Sequence, residues 1–343
     1  TAAGSNPLST QDDICAALVE NGVSVFSRHG MTTEEYFENV RSALSVKPNI
    51  IVDDGADLVA TVHSEMRDLL PGIRGGSEET TSGVKRLKSM AGEGVLAFPM
   101  ISVNDAHSKY LFDNRYGTGQ SVMDGILRTT NMLVAGKNVV IAGYGWCGRG
   151  VAMRASAMGA RVIVTEIDPH RAFEALMDGY EVASMDDAAS RGDIFLTLTG
   201  NTRVIRREHF GKMKDGVLLG NAGHFDVEIC KPDLLDLSSS VEETRPGVET
   251  YILKDGRRIH LLGEGRLVNL ACADGHPIEI MDLSFALQLE SAVFLAKNSL
   301  KPGLYDVPEA IDRAVMEAKL ASLHIRLDRM TPEQEEYMKS WVE

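Results

Sequence analysis

The sequence predicts an α/β fold of two domains, each a layer of parallel strands flanked by helices. Three observations predict it. Short apolar runs such as "RVIVTEID", "DIFLTLTG", "GVLLGNAG" and "IHLLGEG" alternate with helical patterns at a spacing suited to βα crossovers. A glycine-rich turn, "GYGWCGRG" from Gly143 to Gly150, stands directly between one such run and a helix. With 343 residues and 44 % hydrophobic content, the chain can bury the cores of two domains.

From Thr10, "TQDDICAALVENGVSVFSRHG" reads as an N-cap, a helix with Ile14, Ala17 and Leu18 on one face, Gly22 as its stop, and a short strand. "TTEEYFENVRSALSV" repeats the pattern as a capped amphipathic helix. "NIIVDDGADL" is then a short strand ending in acids and a glycine, where open α/β sheets place ligand groups. "DLLPGIRGGSEETTSGVKRLKSM" is expected as a Gly-rich loop leading into a polar helix start, and "LAFPMISVND" as the next strand. "YGTGQSVMDGILRTTNMLVAGKNVVIAGYG" supplies a long helix, a glycine stop and a β-branched strand, with Gly117 to Gly119 as an expected hinge. Pro302 and Pro308 interrupt the helical tail before "PEAIDRAVMEAKLASL". The expected division is 1–118, 119–277, and C-terminal helices at 278–343 that return to the first domain. Internal repeats and low-complexity tracts are not evident.

The net charge of -14 argues against a general footprint on nucleic acid or anionic lipid. The four cysteines, Cys15, Cys147, Cys230 and Cys272, lack CxxC spacing, so neither a disulfide framework nor a metal site is expected, and a reducing, cytoplasmic compartment fits best. No run approaches the ~20 apolar residues of a membrane-spanning helix, and no secretory leader is evident.

The glycine turn gains weight from its setting. "NVVIA" precedes it, "GVAMRASAMGA" follows as a helix, and "RVIVTE" ends in Glu166 about 20 residues on, where a carboxylate bonds a ribose 2′-OH. Gly143 permits the tight turn, Gly145 lets backbone amides approach a pyrophosphate, and Gly148 lets helix and strand pack closely. A Rossmann domain that binds a dinucleotide is therefore expected, NAD rather than NADP, with Arg171 nearby leaving that preference open.

In order, "DDGADL", "PGIRGGSEETTSGV", "VNDAHSKYLFDNRYGTGQS", "GYGWCGRG", "NAGHFDVEI" and "LVNLACADGHP" resemble the motifs of the S-adenosylhomocysteine hydrolase family, from Asn6 to the chain's end. The resemblance implies reversible cleavage of S-adenosylhomocysteine to adenosine and homocysteine by an internal redox cycle: oxidation at the ribose 3′ carbon, elimination, water addition and re-reduction. It implies catalytic and substrate roles for Asp54 at the C4′ proton, Glu79 beside Lys109 or the ribose, Lys109 as base or proton relay for the 3′-OH, Asp113 orienting it and bonding the sugar, and His224 at the added water. The amine could act so only if burial or neighbours lower its pKa. His276 is placed at the channel mouth with a lesser role. Thr80, Thr81, Ser82, Asn114 and Asn269 match contacts to NAD, the backbone at Ala222, Gly223 and His224 approaches its ring, and Trp146 and Cys147 lie beside it through their backbone. Arg171 stands where some relatives have an Asn at the adenosine ribose, and Thr118 replaces a cysteine, so no thiol role is assigned there. A homotetramer is implied as well.

The chain starts at Thr1, and relatives carry several tens of residues before the point matching Asn6, including a segment that helps hold adenine. A truncated piece, or a companion N-terminal fragment, is the expectation, with poor adenosine binding by this chain alone. The inosyl analogue as substrate, a non-catalytic NAD-binding relative and a 2-hydroxyacid dehydrogenase are the competing functions. NAD is expected as a retained catalyst rather than an exchanged co-substrate, yet, because "KSWVE" lacks the Lys- and Tyr-containing tail of long-tailed relatives, to exchange more easily than in those enzymes. Exhaustive gel filtration should remove activity that added NAD restores; full retention of activity would contradict this.

Overall fold

The computed structural model describes residues 1–341. A two-stranded parallel ladder joins β1 (Ala2–Ala3) and β2 (Val25–Phe26). The next three strands, β3 (Ile50–Asp53), β4 (Gly75–Glu78) and β5 (Pro99–Ser102), lie side by side in sequence order, all parallel. Then come β6 (Asn138–Ala142), β7 (Arg161–Thr165), β8 (Glu181–Val182), β9 (Ile194–Thr197) and β10 (Val217–Asn221). They continue into β11 (Ser238–Arg245), β12 (Val248–Leu253) and β13 (Arg258–Leu262), which complete one sheet in the order β11-β12-β13-β10-β9-β6-β7-β8. Its parallel part is doubly wound, with the order reversing between β6 and β9, the switch point where such sheets bind ligands.

Strand alternation builds the core of this sheet. Val139 and Ile141 pack into one apolar cluster and Val140 into the other, so both faces of β6 are covered, as its uninterrupted apolar run requires.

Four features depart from the sequence reading. The segment "GGSE", expected as loop, is the fully buried strand β4. Its glycines serve close packing rather than a turn: a Cβ on Gly76 would lie 2.6 Å from the Ile51 carbonyl oxygen, and one on Gly75 2.7 Å from that of Pro99. The polar run "SSSVEETR" is strand β11, paired antiparallel with β12 across Pro246 and Gly247; without apolar alternation it carried no strand signal. The helical tail contains β14 (Gly303–Asp306), which pairs with β5 and extends the first sheet.

The expected hinge at Gly117 to Gly119 is unbroken helix: Tyr110–Gly117 is wound as a π-helix and runs straight into Thr118–Thr130. Here too the glycines answer to proximity. A Cβ on Gly119 would lie 2.6 Å from the Gly150 carbonyl oxygen, and one on Gly150 1.7 Å from that of Arg115, so the two helices meet backbone to backbone. Asn131, at φ 53, ends the helix ahead of the expected glycine stop.

Alanine is the better helix former by about 1 kcal/mol, yet a methyl at 119 has only backbone to displace. Gly119→Ala should therefore lose about 1–3 kcal/mol of unfolding free energy in urea titration; an unchanged or raised midpoint would refute the close-packing account.

Candidate active site

The carboxyl ends of both parallel sheets open onto one cleft of about 1530 Å³. Asp54 follows β3, Glu79 follows β4, Gly143 follows β6, Glu166 follows β7 and Ala222 follows β10, so the topology itself gathers these distant residues. Lys109, Asp113, His224 and His276 line the same cleft, as do Thr80, Thr81, Ser82, Asn114, Gly145, Trp146, Cys147, Arg171, Gly223 and Asn269. Of the residues assigned to the catalytic, substrate and cofactor sites, Gly148 alone does not line it. It lies behind, where a Cβ would sit 2.0 Å from the Gly143 carbonyl oxygen.

Lys109 is the centre of a buried polar cluster. Its Nζ donates to Asn114 Oδ1 at 2.9 Å and lies 3.3 Å from Glu79 Oε1 and 3.6 Å from Asp113 Oδ2. The π-helical winding of Tyr110–Gly117 accommodates both i+4 and i+5 partners on one side. Asp113 in turn accepts from Ser284 Oγ at 2.6 Å and lies 2.8 Å from His276 Nδ1, while Gln288 Nε2 donates to Glu79 Oε2. His276 is thus joined directly to the Lys109 cluster, a tighter coupling than a place at the channel mouth implied.

The electrostatics correct one expectation. Burial pulls Lys109 down, but Glu79 and Asp113 outweigh it and hold the ammonium above its ordinary range. Burial pushes Glu79 up to about 7 against the pull of Lys109. Burial also acts to raise Asp113, yet Lys109 and the His276 hydrogen bond hold it well below the usual carboxylate range. The neighbours of Lys109 thus raise its pKa rather than lower it, and burial raises that of Glu79 beside it.

Across the cleft, His224 Nδ1 lies 3.7 Å from Asp54 Oδ1. Gly55, at φ +103, gives way to this ring, since a Cβ there would lie 2.4 Å from His224 Nε2. Lys85 Nζ also crosses, to the carbonyl oxygens of Thr199 and Gly200, each at 3.4 Å.

The wall formed by the glycine turn has the features of an anion cradle. Gly143 takes φ +97, and Gly145 caps the helix Trp146–Ala157 without a side-chain hydrogen bond, leaving the first amides free. Glu166 Oε2 accepts from the Tyr144 amide at 2.7 Å, which braces the carboxylate at the end of β7. Trp146 stacks on Tyr110 at 4.9 Å, so its side chain is engaged within the protein. Burial pushes the Cys147 thiol up, and its sulfur accepts from Thr118 Oγ1. Ser82 Oγ and Asn269 Oδ1 are buried without a partner, and both residues line the cleft, as a site awaiting polar ligand atoms requires.

Sequence reasoning missed Asn104, Ser284 and Gln288. Asn104 Oδ1 accepts from both Asn114 Nδ2 and Thr81 Oγ1, and its place just past β5 was a usable signal. Ser284 and Gln288, one turn apart on the helix Ile278–Lys297, offered none. The first members of two acid pairs were missed as well. Asp53 and Glu78 are register partners at the ends of β3 and β4 and point into the protein, where burial pushes them up to about 7 and about 9.

Residues 114–275 match the model of the S-adenosyl-L-homocysteine hydrolase NAD binding domain, and residues 2–69 that of S-adenosyl-L-homocysteine hydrolase. The chain is 59 % identical to the adenosylhomocysteinase of Thermococcus kodakarensis over 343 residues, covering 99 % of this chain and 82 % of that protein. It is 58 % identical to the S-inosyl-L-homocysteine hydrolase of Methanopyrus kandleri, covering 99 % and 81 %. The S-inosyl-L-homocysteine hydrolase of Methanococcus maripaludis is 57 % identical, with 99 % and 82 % covered.

An acid whose pKa is higher folded than unfolded keeps its proton longer in the native state, so its contribution is full at low pH and is lost as pH rises through the folded value. The difference in unfolding free energy between wild type and Glu78→Gln should therefore fall from about pH 5 to about pH 9. Urea titrations across that range check it; a rise would reverse the assignment.

Proposed function

This chain belongs to the S-adenosyl-L-homocysteine hydrolase family, and on that premise we propose that it reversibly hydrolyses S-adenosyl-L-homocysteine to adenosine and L-homocysteine. It carries an NAD-binding domain and belongs to a family of hydrolases acting on nucleoside thioethers. The observation that carries the reading is a titratable cluster, Glu79, Lys109, Asp113 and His276, facing a dinucleotide cradle across one cleft. An ordinary dehydrogenase reading leaves the Asp54 and His224 pair and the Lys109 cluster without a joint purpose.

The free helix amides at Gly145, the braced Glu166 carboxylate and the unpartnered Ser82 and Asn269 oxygens fit NAD, with the pyrophosphate at the amides and a ribose at Glu166. Thr80, Thr81, Asn114, Trp146, Cys147, Arg171, Ala222 and Gly223 complete the assigned cofactor contacts, and Gly148 supports them from behind. When bound, NAD supplies a reversible hydride acceptor for the ribose 3′ carbon, which makes the C4′ proton acidic enough for loss of the thioether.

The chain's own groups divide the proton transfers. The Lys109 ammonium stabilises negative charge developing at the 3′ oxygen, and Glu79, pushed up to about 7, accepts that proton near neutrality. Asp113, tied to Ser284 and His276, holds Lys109 and the sugar in place. Asp54 takes the C4′ proton, and His224, beside it, handles the proton of the added water. Burial of Lys109 and Asp113 keeps bulk water from competing around them. We assign the first domain to 1–118, the cofactor domain to 119–277 and a returning segment to 278–343, a division supported by the pairing of β14 with β5. A cytoplasmic homotetramer is part of the same reading.

Relatives of both names stand at nearly equal identity, so S-inosyl-L-homocysteine is the second substrate to test. The protein is incubated with NAD and each thioether, while free thiol and absorbance at the NADH band are followed together. Stoichiometric thiol without net NADH supports the internal cycle, and the faster substrate identifies the nucleoside; net NADH from a small hydroxy acid would replace the reading. Lys109→Ala should abolish even transient NADH absorbance, with a loss of about 10²-fold or more in rate.

A further inference from the structure

Two acid pairs end the neighbouring strands β3 and β4: Asp53 with Asp54, and Glu78 with Glu79. Side chains alternate along a strand, so one acid of each pair meets the cleft and the other turns inward. The inward acids have different reach. Asp53 bonds locally, accepting from the amide of Asp54 at 3.0 Å and from that of Val59, in the helix Asp57–Ser64 that follows, at 2.9 Å. Glu78, fully buried, reaches across: its Oε1 accepts from the Gly55 amide and from the Thr80 amide, each at 2.9 Å.

We propose that Glu78 is a positioning residue: its single carboxyl oxygen ties the loop of Asp54 and Gly55 to the helix start that carries Thr80, Thr81 and Ser82. The acid facing the substrate and the hydroxyls facing the cofactor are thereby set by one side chain. This rests on the hydrolase reading for its substrate half, whereas the cofactor half needs only the NAD-binding domain.

The surroundings are shaped for this carboxyl. Gly83 clears space for it, since a Cβ there would lie 2.2 Å from Glu78 Oε1. The loop it holds contains two consecutive left-handed residues, Gly55 at φ +103 and Ala56 at φ 62, a bend that persists only where its surroundings over-determine it. Glu78 Oε2 is buried and unpartnered, and burial together with Asp53 favours the neutral acid. A neutral acid differs little from a carboxamide as a twofold acceptor at one oxygen, so glutamine can stand in where an apolar side chain cannot.

The test compares Glu78→Gln, Glu78→Met and Gly83→Ala, each checked for folding by circular dichroism, with NAD affinity from binding titration and kcat and KM from thiol release. Glu78→Gln should keep both NAD affinity and kcat/KM within about threefold of wild type. Glu78→Met and Gly83→Ala should weaken NAD about tenfold and lower kcat/KM about a hundredfold, well below their melting temperatures, because a displacement near 1 Å carries losses of that order. A merely structural Glu78 would lower the melting temperature of these variants and leave NAD affinity and kcat/KM at wild-type values; that result overturns the proposal, as does a Gln variant as damaged as Met. If Met prevents folding, Gly83→Ala decides. If wild type releases thiol from neither thioether, the hydrolase reading fails, while the NAD titrations still decide the role of Glu78.

Discussion

An ammonium ion taken out of water costs several kcal/mol even after relaxation, and here one lies 5 % exposed at the wall of the cleft. Much of the site follows from compensating Lys109. Glu79, Asp113 and Asn114 surround it, and Gln288, Ser284 and His276 satisfy those partners in turn. Two of these residues arrive from a helix far along the chain, and β14 docks the segment that follows it onto the first sheet. Burial is what pushes Glu79 up to about 7 in spite of the ammonium beside it.

A second constraint is how closely backbones approach. Gly119 against Gly150 and Gly150 against Arg115 allow the helix leaving the first sheet to lie directly on the helix that begins at the dinucleotide turn, and Gly117 makes room for His276. The Lys109 cluster and the cofactor cradle are then carried on touching helices, and the stack of Tyr110 on Trp146 adds a side-chain contact across the same junction. Positioning by rigid elements rather than by long loops suits chemistry that depends on sub-ångström placement.

Buried acids in this protein serve two purposes that position along the strand separates. Asp54 and Glu79 face the cleft, while Asp53 and Glu78 hold the backbone that presents them. A similar support recurs beside β10: buried Asn221 donates to the carbonyls of Gly223 and Phe225, which flank His224, and buried Glu228 accepts from the amides of Thr199 and Gly200 in the loop after β9.

Local chemistry was legible in the sequence because its causes are local. The turn at Gly143, the helix after it and Glu166 at the next strand end lie within one βαβ unit, and Asp54 sits where the strand of "NIIVDDGADL" meets its loop. Long-range causes left no such trace. "GGSE" reads as a loop until Ile51 and Pro99 are packed against it, and Gly117 to Gly119 read as a hinge until Gly150 and His276 occupy the space a Cβ would need. The raised pKa of Lys109 is likewise a sum over neighbours from four separate stretches of chain, at Glu79, Asp113, Cys147 and Asp54. The sequence by itself determined most of the strand and helix order and the cofactor turn, since propensity and spacing act over a few residues, while the candidate reactive side chains came from the family resemblance. Only the tertiary structure decided which of those groups hold protons and which acids support rather than react, because burial and charge pairing depend on residues brought together by the fold.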